Sequence, residues 1–168
     1  MGRGIAQLAA QRGLSVILYD ALEEALAGAL GKVEESLRQA SRKGALTEAQ
    51  AERALARIAR VNGFEELKKA DFVIEAVSEE LELKRGLFKD LACLFPSPET
   101  ILATNTSSLS VGAIAEGVVH AGRVVGMHFF NPPVAMRLVE LVRHGRTSES
   151  SFDAAQALAR RLGREPVT

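Results

Sequence analysis

The stretch Asp71-Phe-Val-Ile-Glu-Ala-Val-Ser-Glu-Glu-Leu-Glu-Leu-Lys-Arg-Gly-Leu-Phe-Lys-Asp-Leu-Ala-Cys-Leu94 changes its period half-way along. Asp71–Val77 is a short, almost continuous apolar run, as expected of a strand covered on both faces. Leu87, Phe88, Leu91 and Leu94 then recur at helical spacing, and a second apolar run, Thr100–Thr104, follows. Strand, helix, strand is the unit of a parallel sheet. Similar runs at Ser15–Asp20, Arg123–His128 and Arg137–Val142 extend the pattern in both directions. The last helix is expected to begin at Thr147 and stop before Gly163. The whole predicts an α/β fold, a doubly wound Rossmann-type and mostly parallel sheet, with ligands at the carboxyl ends of its strands.

Residues 21–59 are too long for a simple crossover. Leu22, Leu26, Ala29, Val33, Leu37 and Ala40 step by three and four, as do Ala51, Ala54, Leu55 and Ile58 beyond a break at Gly44. Thr47 and Gln50 have the spacing of a capping box. The segment reads as an inserted helical hairpin, with a short strand candidate after it near Arg60–Asn62.

At 168 residues the chain suits one domain, residues 1–168, with a core of its own. Its 21 basic and 21 acidic side chains cancel, so no net field favours nucleic acid or an anionic membrane, and the expected partner is a small molecule or a protein. The single cysteine, Cys93, excludes an internal disulfide framework, fits a reducing cytoplasmic setting and is expected to be buried. No apolar run approaches the ~18 residues of a membrane span, and no metal-ligand spacing occurs. His120 and His144 lie in turn-like, charged surroundings and are expected to be solvated.

The opening residues, Met1-Gly-Arg-Gly-Ile-Ala6, already read as a helix start. Gly2 and Asp20 stand at the separation of the third glycine and the ribose-binding acid of a dinucleotide fingerprint. The first strand and the first two glycines are then expected to be missing from the start. Asp20 serves equally well, on this reading, as the cap of a helix starting at Ala21.

Together with Glu75-Ala-Val-Ser-Glu-Glu-Leu-Glu-Leu-Lys84, Thr104-Asn-Thr-Ser-Ser-Leu109 and His128-Phe-Phe-Asn-Pro132 followed by Leu138-Val-Glu140, these residues make the chain resemble the nucleotide-binding domain of the L-3-hydroxyacyl-CoA dehydrogenase family. The resemblance implies NAD as cofactor, an acyl-CoA substrate, and a full-length homodimer whose helical second domain is absent here. It implies His128 as catalytic base, Glu140 as its partner and Ser107 as a contact to the substrate oxygen. Gly2, Asp20, Ala76, Glu79, Lys84 and Asn105 would lie at the cofactor. The hairpin would hold coenzyme A through Ser36 and Lys43, which are two helical turns apart and share a face with Arg42 adjacent.

The chemistry supports the dyad independently. Oxidising a secondary alcohol requires a group to take the hydroxyl proton, which neutral imidazole does near pH 7. A carboxylate on the other ring nitrogen fixes the tautomer and stabilises the imidazolium. Glu140, inside an apolar run, needs a partner on any reading. Other assignments stay open: Lys84 paired with Glu80, Ser108 or Ser110 capping a helix over residues 110–115, Arg42 and Lys43 serving a helix dipole, Phe129 and Phe130 as site wall. A non-catalytic nucleotide-binding or scaffolding domain is the alternative to the enzyme.

Overall fold

In the computed structural model, which describes all 168 residues, the chain forms two compact units. The first comprises Met1, Arg3–Leu67 and Pro132–Ala135; the second comprises Gly2, Lys68–Asn131 and Met136–Thr168.

In the first unit, α1 (Gly2–Gln11) leads into β1 (Val16–Leu18), which pairs in parallel with β2 (Ile58–Arg60). Between these strands lies the expected hairpin, α2 (Glu23–Arg42) and α3 (Glu48–Leu55). Gly44, at φ +72°, turns the chain between them, in a region that L side chains avoid. Thr47 and Gln50 form the full capping box. The helical spacing buries Val33 and Leu37 of α2 and Ala51 and Ala54 of α3 in one cluster with Ala10 and Ile58.

The second unit is a five-stranded sheet, in the order β3 (Phe72–Glu75), β4 (Ile101–Thr104), β5 (Val124–Phe129), β6 (Leu138–Val142), β7 (Glu165–Val167). Three of its pairings are parallel, and β5–β6 is antiparallel because residues 130–137 are too few for a crossover. Accordingly β6 alternates, with Val139 and Leu141 buried and Leu138 and Val142 exposed. The helices are α4 (Leu81–Leu94), α5 (Val111–Ile114) and α6 (Glu149–Arg161), the last capped by Ser148 rather than begun at Thr147. The short, proline-containing β7 has no counterpart among the sequence expectations. No helix is long and apolar enough to cross a membrane.

Cys93 and His144 depart from their expected surroundings, and Arg123 is a buried charge. Cys93 is exposed, because the buried stripe of α4 runs through Lys84, Phe88, Leu91, Ala92 and Leu94 and leaves position 93 outside it. Arg123 is fully buried without a carboxylate, and its guanidinium donates to the Ala92 and Ser97 carbonyls at the end of α4. Burial lowers its pKa below the usual arginine value. His144 is not solvated but half-buried: its Nε2 lies 3.1 Å from the Ala121 carbonyl oxygen, which it serves as donor, and Nδ1 accepts from the Arg146 N–H.

Gly126 sits where β5 meets β6, opposite Val142. A Cβ there would come within 2.9 Å of both Val111 Cγ2 and Val142 Cβ. Gly126→Ala is expected to destabilise the protein by about 1–3 kcal/mol through overpacking, measured by urea denaturation followed by circular dichroism.

Burial lowers the pKa of His144 below its ordinary 6.5, and the Arg146 charge adds to this, while hydrogen bonds to the Ala121 and Val124 carbonyls oppose it. The folded state therefore binds fewer protons than the unfolded chain, so this contribution to stability is complete above the unfolded pKa and is lost as pH falls through it toward the lower folded value. Melting temperature should fall between about pH 7 and about pH 5, and His144→Gln, which keeps a donor for Ala121, should flatten that slope.

Candidate active site

The antiparallel register of β5 and β6 places His128 directly opposite Glu140. Paired residues project from the same face of a sheet, and His128 Nδ1 lies 3.2 Å from Glu140 Oε2. Since a carboxylate only accepts, Nδ1 carries the proton and Nε2 keeps its lone pair. The imidazole is 17% exposed and the carboxylate 47%, so the histidine is sheltered while its partner stays half in water. Phe130 tilts against the imidazole with ring centroids 4.7 Å apart. Phe129 alternates to the other face and fills the core, so only Phe130 walls the histidine.

Asn105, just beyond β4, ties this strand end in place. Its Oδ1 accepts the Phe129 N–H at 2.7 Å and its own N–H donates to the Glu75 carbonyl at 2.8 Å. The loop that follows gathers on Glu79. Glu79 Oε1 accepts from the Thr106 hydroxyl, from the Ser107 N–H at 2.9 Å and from the Ser108 N–H at 3.3 Å. The exposed Ser107 hydroxyl lies 3.4 Å from the same oxygen. Ser110, not Ser108, caps α5.

Burial opposes the charge on Glu79, but the Thr106 hydroxyl, the Ser107 N–H and the Lys84 ammonium outweigh it and hold the pKa at about 2, against an ordinary 4.5. This carboxylate is therefore charged throughout the physiological range, and its contribution to stability is lost only as pH falls from the unfolded value through about 2.

Lys84 is 1% exposed and pairs with Glu75 at 2.7 Å and Glu79 at 3.3 Å, not with Glu80. Glu75, Thr104 and Thr106 were not singled out from the sequence. The signal for Glu75 was present: like Glu140, it is a carboxylate in an apolar strand and needs a partner.

The remaining candidates divide between ends of elements and helix faces. Gly2 opens α1, whose first turn has no acidic residue and no side-chain cap, so the donors there suit an anionic phosphate. A Cβ on Gly2 would make ordinary contact with Ala76 at 3.8 Å, so close packing does not itself demand glycine. Asp20 is exposed beyond β1, and its Oδ1 accepts the Leu22 N–H at 2.9 Å. It is no helix cap, because α2 starts at Glu23. Ser36 Oγ accepts from Gln7 Nε2 at 3.0 Å. Lys43 is exposed and lies one residue past the end of α2, with Arg42 in its last turn.

An α/β unit with strand-end carboxylates, a serine loop and a sheltered histidine–glutamate pair gathers a candidate proton-transfer pair at a strand end. The chain matches, over residues 1–168, the family described as 3-hydroxyacyl-CoA dehydrogenase, NAD binding domain, and it belongs to that family. NAD is the cofactor of this domain.

Among curated relatives it is 43% identical over 167 residues to 3-hydroxyadipyl-CoA dehydrogenase of Escherichia coli, covering 99% of this chain and 35% of that protein. It is 41% identical to the probable 3-hydroxybutyryl-CoA dehydrogenase of Bacillus subtilis, covering 99% of this chain and 58% of the other. The chain thus spans little more than a third to three fifths of the length of these relatives. The crystal structure of (S)-3-hydroxybutyryl-CoA dehydrogenase from Ralstonia eutropha superimposes with a TM-score of 0.96 at 40% identity, covering 100% of this chain and 59% of that one.

Proposed function

We propose that this chain is the NAD-binding and proton-transfer part of an L-3-hydroxyacyl-CoA dehydrogenase that interconverts 3-hydroxyacyl-CoA and 3-oxoacyl-CoA. The observation that carries the reading is the His128–Glu140 pair, held opposite each other by strand register. Acyl-CoA is the substrate class because the relatives' names share it. The homodimer and cytoplasmic setting belong to the same reading and rest on the family resemblance and the cysteine content.

NAD, when bound, supplies the acceptor for the hydride of substrate carbon 3. Gly2, Asp20, Ala76, Glu79, Lys84 and Asn105 are the residues that would hold it. As the carbonyl forms, the hydroxyl proton passes to His128 Nε2, and Glu140 stabilises the resulting imidazolium through Nδ1–H. The Ser107 hydroxyl donates to the substrate oxygen, on which charge develops. Ser36 and Lys43, with Arg42, offer a hydroxyl and cations to the phosphates of coenzyme A.

In the full-length protein, His128→Gln should lower turnover by about 10²–10⁴-fold with NAD binding nearly unchanged. Glu140→Gln should lose much of the same factor and add little on top of His128→Gln; full additivity in steady-state assays would show that the two act independently. Lys43→Ala should raise KM for acetoacetyl-CoA but not for a short acetoacetyl thioester lacking the nucleotide, and added salt should shrink the difference because exposed charges are screened. An equal rise for both substrates would remove Lys43 from the coenzyme site.

A further inference from the structure

We propose that Glu75, supported by Thr104, is a positioning residue that sets the Ser107 loop through Lys84 and Glu79. The consequence at Ser107 rests on the dehydrogenase reading; the placement of the loop does not.

Glu75 ends β3 and Thr104 ends β4, paired side by side in register. Both are buried, Glu75 at 4% and Thr104 at 0% exposure. Each carboxylate oxygen of Glu75 is engaged: Oε2 accepts the Thr104 hydroxyl at 2.7 Å, and Oε1 accepts the Val77 N–H and the Lys84 ammonium, each at 2.7 Å. Lys84 stands in the first turn of α4, where a cation gains nothing from the helix dipole. Its ammonium donates to Glu75 Oε1 at 2.7 Å and to the Val77 carbonyl at 3.4 Å, and it is ion-paired with Glu79 Oε2 at 3.3 Å. Lys84 thus joins the two carboxylates, Glu75 and Glu79, across one ammonium.

Of those two, Glu75 lies in the core and Glu79 reaches the surface, with a side chain 37% exposed. The other oxygen of Glu79 collects the Thr106 hydroxyl and the Ser107 and Ser108 N–H groups. An ion pair buried only for stability is a poor device, since an apolar pair of similar volume does as well or better. What the charges add is direction. Glu75 and Thr104 fix the ammonium, the ammonium fixes one oxygen of Glu79, and the second oxygen of Glu79 then fixes the loop that presents Ser107.

The test uses the full-length protein and reads amide hydrogen exchange at Ser107 and Ser108 by NMR, kcat and KM, and melting temperature. Glu75→Gln keeps the shape but leaves Lys84 with one carboxylate; exchange at both amides should quicken and kcat/KM fall, each by about tenfold or more, the order expected for lost hydrogen bonds to a charged group. Removing both charges with Glu75→Leu and Lys84→Met should recover the melting temperature while exchange stays fast and kcat/KM low. If that double variant instead recovers wild-type exchange at Ser107 and Ser108, the pair serves only the fold and the proposal is overturned, whatever its activity. Should these variants not fold, Thr104→Val and Thr104→Ser decide: valine should quicken exchange and lower kcat/KM, and serine should restore both, whereas equal behaviour of the two would overturn the role of Thr104 and with it the chain of positioning. Fast exchange in the Glu75 variants beside a fully active Ser107→Ala would leave the positioning intact and remove Ser107 from the reaction.

Discussion

The antiparallel pairing of β5 with β6 is the constraint on which the candidate site depends. Side chains alternate along each strand, so a slip of one residue would turn His128 or Glu140 to the opposite face. The register is held by features with no direct part in chemistry. Gly126 lets Val142 and Val111 close over the strand. On the buried face, Met127 and Phe129 of β5 and Val139 and Leu141 of β6 anchor both strands in the core, which leaves their alternate residues to meet outside it. The dyad is thus a by-product of which face is apolar.

A second constraint is electrostatic. The fold buries two cations in different ways. Arg123 is met by backbone carbonyls at the end of α4, where the helix dipole favours positive charge. Lys84 sits near the opposite end of the same helix and is met by two carboxylates. The first arrangement stays within the core and leaves the Arg123 Nε without an acceptor. The second extends through Glu79 to an exposed loop, whereas Arg123 bears on the packing of α4.

Much of this was legible in the sequence because it is local. The apolar runs marked five of the seven strands, helical spacing marked the hairpin, and Thr47 with Gln50 marked the start of its second helix, while β2 at Ile58–Arg60 begins two residues before the candidate near Arg60–Asn62. The dyad was legible because an acid in an apolar strand demands a partner and His128 was within reach of the turn. What was not legible depends on partners distant in sequence. Lys84 has an acid at the helical spacing, Glu80, yet turns inward to Glu75, because the surface pair gains little and the buried carboxylate must be met. His144 looks solvated among charged neighbours until the Ala121 carbonyl comes beside it. Strand β7 is short, contains Pro166 and forms only because β6 offers it an edge.

The central claim is that Glu140 holds His128 with its proton on Nδ1 and its lone pair on Nε2. The most direct measurement is nitrogen-15 NMR of the His128 imidazole over a pH series, in which each nitrogen of the neutral ring reports whether it bears hydrogen. The account predicts the Nδ1–H tautomer for His128, with the preference lost in Glu140→Ala. A His128 protonated on Nε2, or one whose tautomer is indifferent to Glu140, would contradict it.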